Sequence, residues 1–132
     1  MKNIIIPLII FFLCSCNSSH PRAKYNMTYA SFIKIDSTKL SFGNIHYKEK
    51  EFLLNIPCTN NSKKNIYISS IRTGCNCISY YYPKNIIKSK DNFNISISYH
   101  PSTIKGFFSK RILVILNDGE YFFLIPITGK II

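Results

Sequence analysis

At 132 residues the chain has room for one packed domain and none for a second independent core, and its 46% hydrophobic content excludes global disorder. Lys and Arg outnumber Asp and Glu 17 to 6, giving +11. The cations are dispersed, with only Lys63-Lys64 and Lys110-Arg111 adjacent, which argues against a dedicated nucleic-acid surface. The abundance of Ile, Asn, Lys, Tyr and Phe matches AT-rich codon usage, and weak attraction to anionic lipid is the most plausible use of the charge.

Lys2 supplies a short positive start, and residues 4–13 form an apolar run. As a helix that run spans about 15 Å, half a bilayer core, so it reads as the apolar region of an export signal. Leu13-Cys14-Ser15-Cys16 resembles the lipobox of bacterial lipoproteins: a branched apolar residue, a tolerant position, a small residue, then the cysteine whose thiol takes the lipid. Cys16 is therefore the predicted lipidation site, and Cys14 fits less well because Leu13 before it is not small. The expected division is a signal peptide over 1–15, an acylated cysteine and flexible tether over 16–30, and a domain over 31–132. Two or three acyl chains anchor stably where one is marginal. His20 falls in the polar tether beside Pro21 and reads as solvated.

From residue 31 onward the pattern has period two, with β-branched and aromatic residues between turn signals. A first strand over 31–42 is interrupted near Asp36-Ser37. The next covers 51–59, with Phe52, Leu54, Ile56 and Cys58 on one face, and ends in a turn over 60–64. A strand over 65–71 follows, then a cysteine-containing loop and a short edge segment over 80–83, where Pro83 is tolerated. Phe93, Ile95, Ile97 and Tyr99 alternate strictly with polar residues, which marks a strand with one wet face. Strands over 107–116 and 121–127 are joined through Asn117-Asp118-Gly119-Glu120, a tight-hairpin signal. No stretch of the mature chain has a convincing 3.6 period. The predicted fold is an antiparallel immunoglobulin-like β-sandwich of about seven strands.

Thr73-Gly74-Cys75-Asn76-Cys77-Ile78 is the motif that stands out. Around it the chain resembles the domain of unknown function 1573 family, small exported or lipid-anchored immunoglobulin-like domains of diderm bacteria. Phe52, Asn60, Cys75, Cys77, Pro83, Ile86, Gly106, Phe108, Lys110, Asn117 and Gly129 fall where that family's pattern places them. The departures are Gly74 for Ser, Asn76 for Gly, Ile78 for Thr, and Lys88-Ser89-Lys90 in place of Pro-Gly. The resemblance covers about residues 30–132 and implies an immunoglobulin-like fold and an outer- or inner-membrane lipoprotein facing the periplasm. It implies no defined activity.

Three readings of Cys75-x-Cys77 are open. The two cysteines could close a short, reducible disulfide with each other. One could pair with Cys58, in a loop that would stabilise by roughly 3 kcal/mol. Or both thiolates could bind a soft metal, copper or zinc, with His100 or His46 as added ligand. An oxidising compartment favours a bridge. No nucleophile elbow, zinc-protease helix, phosphate loop or dinucleotide fingerprint is present, so an enzyme is not expected. The leading expectation is a lipid-anchored binding or structural module, held to the membrane by its acyl chains, that meets another envelope protein. Tyr80-Tyr81-Tyr82 beside the cysteine loop motivates Tyr80 and Tyr82 as its interaction surface, because consecutive strand residues alternate faces. The alternative is a metal- or thiol-redox-handling protein using Cys75 and Cys77.

Overall fold

The period-two alternation becomes nine strands in a computed structural model that describes residues 26–132. The export signal, Cys14, Cys16 and His20 lie outside the described residues. In chain order the strands are β1 (Thr28–Tyr29), β2 (Ile33–Ile35), β3 (Ser41–Ile45), β4 (Phe52–Asn60), β5 (Ile68–Arg72), β6 (Ile78–Tyr81), β7 (Asn92–Tyr99), β8 (Gly106–Leu116) and β9 (Tyr121–Ile131). One sheet runs β1-β9-β8-β5, with β3 also on β9, and the other runs β2-β4-β7-β6.

Nine strands stand where about seven are expected, because the first predicted strand is split in two and β1 forms ahead of it. The Asp36 carboxylate accepts the Thr38 amide at 3.1 Å and the Thr38 hydroxyl at 2.6 Å. That cap starts the short 3-10 turn Ser37–Lys39, which carries the chain from β2 in one sheet to β3 in the other. The sandwich is also not purely antiparallel, since β1 and β3 both pair with β9 in parallel. The sheet begins at Thr28 and Ala30 is already buried, so the domain starts ahead of residue 31.

Between the sheets, Ile56, Ile95 and Ile97 of one face Ile112, Val114, Phe123, Ile125 and Ile127 of the other, all buried. The alternation of β7 is the reason: Phe93, Ile95, Ile97 and Tyr99 point in, and Asn94 and Ser96 do not. At the far ends of β8 and β9, Phe108 stacks on Tyr99 with centroids 4.6 Å apart. Gly129 leaves room for that ring, because a Cβ there would lie 2.5 Å from the Phe108 Cζ.

The register defines two ends. At the hairpin end Leu116 pairs with Tyr121, and the Asn117–Gly119 turn holds Asn117, Asp118 and Gly119 at positive φ. The chain enters the domain here, since Thr28 pairs with Tyr121. Phe32 packs edge-on to Tyr121, and the Phe32 carbonyl accepts the Asn61 amide, so the end of β4 lies here too. At the opposite end Tyr99 pairs with both Phe52 and Ile78, which places the cysteine loop there.

Candidate functional site

The cysteine loop joins β5 to β6 and so crosses from one sheet to the other. Gly74 turns it at φ +66, a conformation that glycine adopts without steric cost. The Thr73 hydroxyl donates to the Cys75 carbonyl at 3.0 Å, and the Cys77 amide donates to the Cys75 sulfur at 3.1 Å. Cys75 and Cys77 are joined in a disulfide with their Cα atoms 5.2 Å apart. The His100 amide donates to the Cys77 carbonyl at 2.8 Å, which extends the β6–β7 ladder up to the bridge. Both cysteines are half-buried.

Of the three sequence readings, the structure brings together Cys75 and Cys77 alone. Cys58 is a free, buried thiol, and this corrects its proposed pairing with the loop. It sits opposite Phe93, whereas the loop abuts Tyr99 at the far end of β7, about 20 Å along the strand. Burial pushes the Cys58 thiol up to about 12, which leaves it protonated and unreactive at neutral pH. His46 and His100 are both exposed. The Nδ1 of His46 accepts the Lys48 amide at 3.2 Å and its ring stacks on Tyr47, while only the main chain of His100 is seen to touch the loop. Among the described residues no three His, Cys, Asp or Glu side chains gather as a metal would require. With each thiol used by the other, neither is free as a thiolate in this form.

The tyrosine run is arranged differently from the expected surface pair. Tyr82 is 9% exposed and belongs to the core, so it does not offer a surface. Tyr80, 42% exposed, stacks on it at 6.1 Å, and the Lys84 ammonium lies 3.5 Å from the Tyr82 ring centre. Tyr81, 69% exposed, is the residue that faces solvent on the outer side of the sheet. There it lines a groove of about 210 Å³ with Leu53, Ser79, Tyr80, Ser96 and Ser98. Leu53 itself is 72% exposed. The sequence carried a signal for it: Leu53 is the apolar residue out of phase with Phe52, Leu54 and Ile56. The carboxylate of Glu51 accepts the Ser98 hydroxyl on this face.

A family profile described as "Protein of unknown function (DUF1573)" matches residues 33–131. No curated protein sequence matches the chain. Among solved structures, it is similar to a protein of unknown function from Porphyromonas gingivalis W83, at 18% identity and a TM-score of 0.57, over 86% of this chain and 50% of that one. It is also similar to the ASH/PapD-like domain 7 of human CEP192, at 11% identity and a TM-score of 0.55, over 76% of this chain and 85% of that one. Part of the Vibrio cholerae VesB protease is similar at 6% identity and a TM-score of 0.54, over 76% of this chain and 32% of that one. The chain thus spans half or less of the Porphyromonas and Vibrio proteins. At these identities the likeness is one of fold.

Proposed function

Because the chain belongs to the DUF1573 family of proteins of unknown function, we propose that it is a binding or structural module of the cell envelope. In this reading it is anchored by lipid on Cys16, faces the periplasm, and carries out no reaction of its own. The observation that carries the reading is the placement of the surfaces. The chain enters the sandwich at the hairpin end, and the Cys75–Cys77 loop lies at the opposite end. An acylated Cys16 reaches Thr28 through residues 17–27, an extended span of at most roughly 43 Å. Held so, the domain presents the disulfide loop, Tyr81 and Leu53 away from the lipid, toward other envelope components.

Crosslinking and pull-down from native membranes tests this. The full-length chain should capture a defined partner, and replacing Tyr81 and Leu53 with serine should remove it. Retention of every partner by that double variant would place binding elsewhere. Replacing Cys16 with alanine should move the protein out of the membrane fraction. Continued detergent-dependent membrane association would overturn the anchor.

A further inference from the structure

The four edges of the two sheets are not equally protected. On the β9 side, β1 has two residues, and β3 changes register between Ser41 and Asn44. β5 changes register between Ile68 and Ser70 and ends in the exposed Arg72. β2 has three residues with the exposed Lys34 at its centre. Short length, irregular register and charge are the devices that stop an edge from pairing with another chain. β6, at four residues, has only the first of them. Ile78-Ser79-Tyr80-Tyr81 pairs residue by residue with Tyr99 through Ser96, without a bulge, a proline or a charge.

The alternation of hydrogen bonds identifies which groups are open. The bond from the His100 amide to the Cys77 carbonyl makes Cys77–His100 a bonded pair. Antiparallel pairs alternate, so Ser79 and Tyr81 turn their amides and carbonyls toward β7, and Tyr80 turns both outward. The Ile78 carbonyl and the Tyr82 amide face the same open side. Exposed tyrosine rings flank this edge, Tyr81 on the outer face and Tyr80 on the other.

The charge around the edge selects the partner. Residues 52–90 contain no carboxylate at all; of their cations Lys84 lies at this edge, whereas Lys63, Lys64, Lys88 and Lys90 belong to the hairpin end. Lys84 sits against Tyr82 just beyond the strand, and Tyr82 stacks on Tyr80. On the adjoining sheet face the carboxylate of Glu51 is engaged by Ser98. A second copy of this chain would bring the same +11 charge to the edge. We infer that β6 is a strand-addition site for an extended, acidic segment of a partner polypeptide, which takes its main-chain hydrogen bonds from Tyr80 and its charge complement from Lys84 and the net positive charge of the chain. This rests on the reading of the chain as a binding module and names the class of partner.

The test uses the full-length chain in detergent micelles at low salt, with a fluorescent ten-residue peptide of alternating valine and glutamate as probe. Binding should slow hydrogen exchange at the Tyr80 and Tyr82 amides by about tenfold or more. Tyr80→Pro removes an outward amide and spares the β7 ladder, so it should weaken binding at least about tenfold, while Tyr80→Thr stays within about threefold. A peptide N-methylated at alternate residues, which leaves the protein untouched, should lose binding in the same way. Equal binding of a valine–lysine peptide, unchanged binding of the N-methylated peptide, or self-association through β6 in sedimentation would each overturn the proposal. In the membrane pull-down, a partner retained by a folded Tyr80→Pro variant overturns strand addition and leaves the binding module standing. The absence of any specific partner for the unaltered chain counts against the module itself.

Discussion

The two ends of the sandwich are built on different principles. At the hairpin end, side chains tie together loops that are far apart in sequence. The Asn60 side-chain amide donates to the carbonyls of Lys64, Ile87 and Lys88, and its oxygen accepts from the Ser62 amide and hydroxyl. Nearby, Ser89 bonds to Ser62, Lys90 to Asn61, Tyr67 to Asp118, and Asp118 to Ser69. At the opposite end most side-chain bonds are local, such as Thr73 to Cys75, Lys48 to His46 and Ile104 to Ser102, with Ser98 to Glu51 an exception. Two main-chain bonds, His100 to Cys77 and Tyr47 to Ile132, join those loops to their neighbours. Exposed apolar residues gather there too, with Ile104 and Phe107 among the most exposed in the domain. The difference teaches where the fold is enforced and where the surface is free to serve a partner.

The sharpest way to break this contrast is at Asn60. Its side chain is fully buried and every polar atom is engaged. Asn60→Ala strands several main-chain carbonyls at once and should cost about 3 kcal/mol in urea unfolding. Asn60→Asp should not rescue it, because the carbonyls need a donor. Gly129→Ala comes next. The new methyl meets the Phe108 ring wedged between Phe42 and Tyr99, and the loss should be about 2 kcal/mol, partly recovered by Phe108→Leu.

The disulfide should matter less than either. A bridge over so short a loop restricts the unfolded chain little, worth about 1.6 kcal/mol or less by loop entropy. Replacing Cys75 and Cys77 with serine should therefore leave a folded domain with a small shift in midpoint. A drop as large as that of Asn60→Ala would erase the distinction between the ends. In the same samples Cys58 should resist alkylation until the protein unfolds, since burial holds its thiol up to about 12.

The smallest effect lies at Tyr67. Its hydroxyl donates to the Asp118 carboxylate, which raises its pKa above the ordinary 10.0. A tyrosine raised in the folded state stabilises fully below the unfolded value, and that contribution fades as pH climbs through the folded one. Stability should fall above pH 10, and Tyr67→Phe should flatten that alkaline limb. An identical pH profile for the two proteins would show that the bond contributes nothing.

Much of the hairpin end was legible in the chain. Asp118-Gly119 announced the turn, and the alternation from Phe93 to Tyr99 gave a strand with its buried face correctly assigned. Asn60 itself read as an ordinary turn residue, because its partners at Ile87 and Lys88 arrive from a distant loop. At the other end the tyrosine run shows the limit. Period two says that Tyr80, Tyr81 and Tyr82 alternate, and it does not say which side is wet. Packing decides that: Ile78 and Tyr82 turn into the core, and Tyr81 faces outward. The parallel pairing of β1 and β3 was equally hidden, since strands this short carry no mark of their neighbour's direction.

That parallel pairing has a temporal consequence. The first strand of the domain and its third both wait for the last: Thr28 for Tyr121, and Ser41 for Thr128. A chain made or threaded from its N-terminus can assemble the β4–β7 pair early, yet it cannot close the second sheet until its final eleven-residue strand is released. Closure therefore comes last and all at once, and a chain that lacks its C-terminal strand would leave both ends of its beginning unpartnered.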